Sequence, residues 1–432
     1  MKAIILAAGE GVRLKPLTNT RPKVMLQVAG KPILWHLLHE VKKAGITEVV
    51  IVVRYLKEKI IEYFGKPEIQ KELGMKIEFV EQSEKNGTGE AILTAEKEIV
   101  GKSGGCFVAL AGDIVTEASV IKAVIDAHKN ESSKTKNKIT LAVKKVKNPH
   151  LYGVVELNQN GTVRLFEEKT QHPKSDLANL SVYCMDETVF SEIRTIPKSE
   201  RGEYEIVNIF IGAQAVTVDG FWMDVGYPWH LFEANDYLLS RNDGDTSLGK
   251  IENSTIRGKV ILEQGAEVFD SYIEGTSYIG AGSKIGPGAI LKGNNSIGAN
   301  CEIGGATTIK NSILFDNVKA KHLSYIGDSI IGSDVNFGSG TQIANFRFDS
   351  DNVNVLTERG WVNTGRKKFG TVVGDNTKFG VLACTMPGKL IGENCWISSN
   401  VVVNKNIPPN TKVFVKQELH LMKGDEKQET EN

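Results

Sequence analysis

The sequence predicts an α/β domain over residues 1–240, joined to a prism of short strands over residues 251–416. Three observations carry this. Apolar runs of strand length alternate with amphipathic segments through the first half. From about residue 251 the apolar period becomes six, often with glycine next. The length, 432 residues, exceeds what one ordinary core holds. The polar stretch 241–250, RNDGDTSLGK, reads as a linker, and 417–432 as a polar tail.

The elements follow in order. AIILAA is a strand, and PILWHLLHEVKKAGI a helix that stops at Gly45. EVVIVVRY is a strand, and KEKIIEYFG a helix that stops at Gly65. KIEFVEQ, GEAILTAEKEI, GCFVALAGD and ASVIKAVIDAHKN continue as strand, helix, strand, helix. Continuous apolar strands between such helices predict a parallel sheet covered on both faces. KNESSKTKNK is expected to be an exposed loop. ITLAVKKV, GVVELNQNGTVRLFEE and ANLSVYCMD are further strands, with an Asn-Gly turn at 160–161. PWHLFEANDYLLS closes the domain as a helix.

In the second half, Ile256, Leu262, Val268, Ile273, Ile279, Ile285, Leu291, Ile297, Ile303 and Ile309 recur at six with one step of five. Leu314, Ala320, Ile326, Ile331, Phe337 and Ile343 follow at five or six, and Val373, Phe379, Thr385, Ile391 and Ile397 resume the phase. No helix has a period of six. Strands that turn every six residues build a prism in which three hexads make a coil. About seven coils stack to roughly 34 Å at about 4.8 Å each. Such a prism also serves as a plain stalk or oligomerisation module.

Composition narrows function. Lys plus Arg and Asp plus Glu are 52 each, so the chain carries no basic footprint for nucleic acid or an anionic membrane. No apolar run approaches the roughly 20 residues that span a bilayer. The five cysteines are scattered, without a Cys-x-x-Cys pair, and read as reduced thiols. With no signal-peptide pattern at the N-terminus, a cytoplasmic protein is expected.

Phosphate chemistry is written into the first thirty-five residues. A strand ends in Gly9 and Gly11, and Arg13, Lys15, Arg21 and Lys23 follow. Glycines admit phosphate oxygens to backbone N–H groups, and the cations meet their charge. The glycines alone are also those of any tight strand-to-helix turn. The whole string, LAAGEGVRLKPLT followed by RPKVML and GKPIL, resembles the signature of sugar-1-phosphate nucleotidylyltransferases, whose domain is Rossmann-like. The resemblance implies that Arg13 and Lys23 act on a nucleoside triphosphate and that Gly9 and Gly11 contact it. Gln82 with NGTGEA (Gly87 and Thr88) resembles the base-contacting loop. Asp113 of AGD and Asp224 of MDVG stand where the family holds Mg²⁺. Gly153 of YGVVEL, Glu168 of EEK and Asn179 of ANLSVY stand where it contacts sugar. Asn208 replaces an aspartate common in relatives, and Glu167 competes with Glu168 for one position.

The segment KHLSYIGDSIIGSDVNFGSGTQIAN resembles the acetyltransferase half of bifunctional enzymes of UDP-N-acetylglucosamine synthesis, built on a left-handed parallel β-helix. The resemblance makes His322 the base. Hexad register places Lys310 and Tyr325 outward and predicts that Lys310, His322, Tyr325 and Asn336 converge on one edge of the prism. Asn345 matches the family asparagine near the acetyl group, and Lys368 its phosphate-binding lysine. The insert FRFDSDNVNVLTERGWVNTGRK resembles the longer loop of archaeal relatives. The implied reactions are acetylation of glucosamine 1-phosphate by acetyl-CoA, then uridylyl transfer from UTP with release of pyrophosphate. A homotrimer built through the β-helix is expected. The alternative is a nucleotidylyltransferase for glucose 1-phosphate, using UTP or dTTP, with a purely structural β-helix.

Overall fold

The computed structural model describes residues 1–83, 87–102, 104–131, 138–199 and 202–421. Most of the loop expected at 129–138 and most of the polar tail lie outside these residues, as does Asn86. The N-terminal sheet runs, from one edge, Val163–Glu168, Gly153–Leu157, Leu177–Asp186, Cys106–Ala111, Lys2–Ala7, Glu48–Val53 and Lys76–Glu81, with Ile139–Lys145 and Gln214–Thr217 branching off Leu177–Asp186. Four neighbouring strands run parallel, Lys76–Glu81, Glu48–Val53, Lys2–Ala7 and Cys106–Ala111, and Gln214–Thr217 runs parallel to Ile139–Lys145. Leu177–Asp186 joins Cys106–Ala111 antiparallel. The sheet is therefore mixed, a correction to the parallel sheet expected. The helix-and-strand alternation stops near residue 131. The next four strands, Ile139–Lys145, Gly153–Leu157, Val163–Glu168 and Leu177–Asp186, include a hairpin about the Asn-Gly turn and have no α-helix between them to return the chain to the same end.

Helices Ile33–Lys43 and Ala118–Glu131 contribute to the N-terminal domain's packing, and His230–Ser240 closes it. Two short helices, Pro67–Leu73 and Val189–Ile193, were not legible as periodic segments. Each has too few turns to show a stripe.

From Lys250–Glu252 onward the chain winds as a parallel β-helix. Val268 pairs with Ile285, Ile285 with Ile303 and Ile303 with Ala320, so each coil takes 17 or 18 residues. Among the described residues one face is a nine-strand ladder, and the other two are joined into a sheet of thirteen strands by the long strands Thr255–Leu262 and Tyr272–Ile279. The inward residues predicted from the hexads from Leu262 to Ile397 are buried. Corners take left-handed backbone at Asn300, Asn317, Asp334, Asn376 and Asn394, the non-glycine types that tolerate it best. Asp245 already bridges Ile261, so half of the expected linker belongs to the first coil.

Phe337 pairs with Phe379, which loops the insert out of the coil. It is not a plain loop: Asn354–Thr357 and Gly360–Asn363 form an antiparallel hairpin. Its Val353 and Val355 join one apolar cluster with Leu14, Leu17, Leu26 and Ile33 of the signature stretch, Trp229, Phe232, and Phe315, Ile330 and Val372 of the β-helix. The β-helix thus forms a wall behind the signature loop. Polar clamps reinforce it. Asp375 accepts hydrogen bonds from Arg21, from Thr20 Oγ1 at 2.7 Å and from the Ser333 N–H at 2.8 Å. Lys15 Nζ reaches Glu358 Oε1 at 2.9 Å, and Asn19 Nδ2 reaches Glu393 Oε2 at 2.8 Å.

Candidate active sites

The first site opens where the adjacent parallel strands Lys2–Ala7 and Cys106–Ala111 end, the usual ligand-binding end of such strands. Gly11 has φ 67°, and a Cβ there would lie 2.9 Å from Lys23 Cβ. The turn therefore seats directly on Lys23 only with glycine. At Gly9 a Cβ would meet nothing within 4 Å. Packing within the chain gives no reason for that glycine.

Asp224 reaches Asp113 across a short ladder in which it pairs with Ile114. Lys23 lies between the two carboxylates, 7% exposed. Its Nζ donates to Asp113 Oδ2 and, at 3.3 Å, to Asp224 Oδ1. Burial opposes the charge on Lys23, but Asp113 and Asp224 outweigh it and hold the ammonium above its ordinary value. Burial likewise opposes ionisation of Asp224, and Lys23, Arg13 and Lys169 together hold it below the ordinary carboxylate value. Arg13 lies over the Tyr227 ring, 5.2 Å from its centre. A cation already sits between two half-buried carboxylates, so the donor set suits a divalent metal that prefers oxygen ligands.

Gly153, Glu168 and Asn179 lie together on three neighbouring strands. Gly153 pairs with Glu168, and Val154 with Ala178. A Cβ on Gly153 would lie 2.7 Å from Glu168 Oε2, whereas Glu167 Oε2 accepts the Lys174 N–H at 2.8 Å. The geometry thus favours Glu168 over Glu167. Asn179 Nδ2 donates to the Tyr183 hydroxyl at 2.9 Å. Gln82 is buried, and its amide donates to Gly87 O at 3.2 Å and to Glu90. Thr88 Oγ1 accepts the Ile206 N–H at 3.1 Å and so ties its loop to the turn at Ile206–Ile209. Tyr152 was not singled out beforehand, though it directly precedes Gly153. Burial, and then the charges of Asp224 and Glu233, push its hydroxyl up.

At the second site one corner of the β-helix gathers four of the six expected residues. Asn345 Nδ2 reaches the Tyr325 hydroxyl at 3.2 Å and Asp328 Oδ2 at 2.6 Å. Lys368 bridges Phe346, beside Asn345. Lys310 lies one coil below Gly327, and its carbonyl accepts the Asp328 N–H at 2.8 Å. Asp328, nearly fully buried, ties these coils together. It was visible in the YIGD string and not taken up. His322 is exposed at the preceding corner. Asn336 stacks between Lys319 and Lys378 on the adjoining face. The predicted convergence of Lys310, His322, Tyr325 and Asn336 on one edge is thereby corrected. Register fixed outward direction, but Asn336 leads into its face whereas Lys310 follows its own, so the two lie at different corners.

The chain matches the nucleotidyl transferase family over residues 2–241 and the GMPPB C-terminal domain over residues 273–418. It is 39% identical to the bifunctional protein GlmU of Methanocaldococcus jannaschii over 97% of this chain and 98% of that one. The chain belongs to this GlmU family. A second relative, the bifunctional sugar-1-phosphate nucleotidylyltransferase/acetyltransferase of Sulfurisphaera tokodaii, is 35% identical over 94% of this chain and 98% of its own. A Bacillus anthracis structure assigned as a glucose-1-phosphate thymidylyltransferase, in complex with a sucrose, is 28% identical. It has a TM-score of 0.50 and covers 57% of this chain and 98% of that one. GlmU-family membership thus spans both sites described above.

Proposed function

We propose that this GlmU-family chain acetylates glucosamine 1-phosphate with acetyl-CoA and then transfers a uridylyl group from UTP to N-acetylglucosamine 1-phosphate, releasing pyrophosphate. The observation that carries the reading is Lys23 held between Asp113 and Asp224 on a glycine turn, in a chain whose full-length relatives are named bifunctional. In-line attack of a sugar phosphate on the α-phosphorus needs positioned cations rather than a covalent intermediate. Arg13 and Lys23 spread the developing phosphate charge, and the backbone at Gly9 and Gly11 contacts the nucleotide. Gln82, Gly87 and Thr88 face the base, and Gly153, Glu168 and Asn179 the sugar. Asp113 and Asp224 would hold Mg²⁺, which neutralises phosphate charge when bound.

In the second reaction the amine of glucosamine 1-phosphate attacks the thioester carbonyl. His322 takes the amine's proton, and Lys310 and Lys368 bind the phosphate. Tyr325 and Asn336 orient the sugar, and Asn345 serves the acetyl group. His322 and Asn336 lie off the Tyr325–Asn345 corner of one chain, which favours a homotrimer in which neighbouring copies complete each site. A cytoplasmic setting suits these substrates. Uridylyl transfer belongs to residues 1–240 and acetyl transfer to the β-helix, expected at 251–416 and entered already at Asp245.

The test is a panel of UTP and dTTP against glucosamine, N-acetylglucosamine and glucose 1-phosphates, with and without acetyl-CoA, following pyrophosphate and free coenzyme A. Release of coenzyme A only with an amino-sugar phosphate supports the reading. Pyrophosphate with no coenzyme A release from any amino-sugar phosphate makes the β-helix a scaffold.

A further inference from the structure

At the opposite end of the central strand from Asp113, three side chains of metal-ligating type meet. Cys106 opens the strand Cys106–Ala111, and Asp113 follows its other end, about 20 Å away at about 3.3 Å per residue. Cys106 pairs with Asp186 on the neighbouring antiparallel strand, and Cys184 stands two residues before Asp186. By strand alternation the two thiols share one face of the sheet. His128, on the helix Ala118–Glu131, packs onto that face. One ligand atom from each of Cys106, Cys184 and His128 lies within 4.8 Å of the others.

We propose that Cys106, Cys184 and His128 form a binding site for a thiophilic divalent metal of the zinc class. Two sulfurs and an imidazole are a soft donor set, unlike the all-oxygen pair Asp113 and Asp224. The imidazole is oriented at both nitrogens: Nδ1 meets Thr140 Oγ1 at 3.0 Å, and Nε2 meets Asp186 Oδ1 at 3.2 Å. In metal sites one ring nitrogen ligates while the partner of the other fixes the ring, and a carboxylate is a common partner. A water completes a tetrahedron, with Asp186 held on the imidazole. His128 and Cys184 are buried and Cys106 is half-buried, which leaves an entry path on the Cys106 side.

On binding, two S–H bonds break, two metal–sulfur bonds form and two protons are released. Nothing is oxidised or reduced. A divalent ion on two thiolates and a neutral imidazole has no net charge, so the buried pair of sulfurs is compensated. The metal would staple the helix to both strands. Neither reaction proposed above uses these residues.

The test titrates cobalt(II) and zinc into the metal-free full-length protein, comparing wild type with Cys106→Ser, Cys184→Ser and the double variant. Expected are one equivalent bound with a sulfur-to-cobalt charge-transfer band, displacement by zinc, and a raised Tm. Band and Tm gain should vanish in Cys106→Ser, whose half-exposed position tolerates serine. Cobalt at Asp113 and Asp224 gives no sulfur band, so the two sites read separately. Absence of the band in wild type, or its persistence in a folded double variant, overturns the proposal.

Discussion

Replacing Asp375 with asparagine tests whether the β-helix holds the signature loop in its working position. Asp375 receives Arg21, Thr20 and the Ser333 N–H, and both charged side chains are mostly buried, 14% and 17% exposed. Asparagine keeps the size and one acceptor oxygen but loses the charge. The Ser333 bond survives on that oxygen, and the contacts of Arg21 and Thr20 are weakened or lost. Hydrogen bonds to charged groups contribute roughly 1.5–3 kcal/mol each. Arg21 retains Ser333 Oγ at 3.2 Å and the face of Phe315 at 4.7 Å, which moderates the loss. A net destabilisation of about 2 kcal/mol follows. Arg21 is two residues from Lys23, and a shift of about 1 Å in a positioning group can cost about a hundredfold in rate. The expected result is at least a tenfold lower uridylyl-transfer kcat, a lower denaturation midpoint, and acetyl transfer within twofold of wild type. The assay follows pyrophosphate and coenzyme A release separately, beside urea unfolding. A variant with wild-type uridylyl transfer and wild-type stability refutes the argument that this clamp positions the loop.

Lys23→Ala should lose about a hundredfold or more in uridylyl transfer, since removing such a contact costs about 2.7–4 kcal/mol; steady-state pyrophosphate release measures it, and a loss under threefold makes Lys23 a structural counter-ion. Asp113→Asn should abolish pyrophosphate release while coenzyme A release continues. Asp224, held below its ordinary value of 3.8, stabilises the fold above that pH and loses this contribution as pH falls through the depressed value. Acid titration of stability should therefore be shallower in Asp224→Asn than in wild type. His322→Ala should slow acetyl transfer by about 10²–10⁴-fold at pH 7, with the residual rate rising at higher pH as the amine loses its proton; an unchanged rate removes His322 as the base.

The solenoid was legible because its rule is local. A six-residue period names every inward side chain, and the structure buries those from Leu262 to Ile397. The first half was legible as α/β for the same reason, up to the point where helices stop separating strands. Strand direction there depends on pairing across the sheet, which composition does not encode. The phosphate loop was readable because Gly11, Lys23 and Arg13 lie within one short string. Asp375 was not, since it acts through Arg21 at the other end of the chain; Asp328 stands in the YIGD string, but its role rests on Asn345 seventeen residues on. The insert resembled the longer loop of archaeal relatives, and its strands are short; only Val353 and Val355, alternating inward, mark what it covers.

The two chemistries need different things from one scaffold. Uridylyl transfer needs cations fixed to within a fraction of an ångström, and a loop that begins in glycines does not provide that stiffness alone. The stiffness comes from behind: Leu14, Leu17 and Leu26 sit on the β-helix wall, and Lys15, Asn19, Thr20 and Arg21 are each bonded to it or to its hairpin. The hairpin leaves the coil beside Asn345 and returns beside Lys368, so the chain at that corner continues into a strap that Lys15 of the signature loop grips by an ion pair. A change that loosens the strap, such as Glu358→Ala at the Lys15 contact, should therefore lower uridylyl transfer without touching a group that meets nucleotide. This contact is exposed, so its effect on stability should be small, on the order of 0–1 kcal/mol. A kcat loss in uridylyl transfer larger than that stability change explains, with KM for UTP unchanged, is the outcome expected of a positioning contact. A proportionate loss in both reactions would mean only that the fold had weakened.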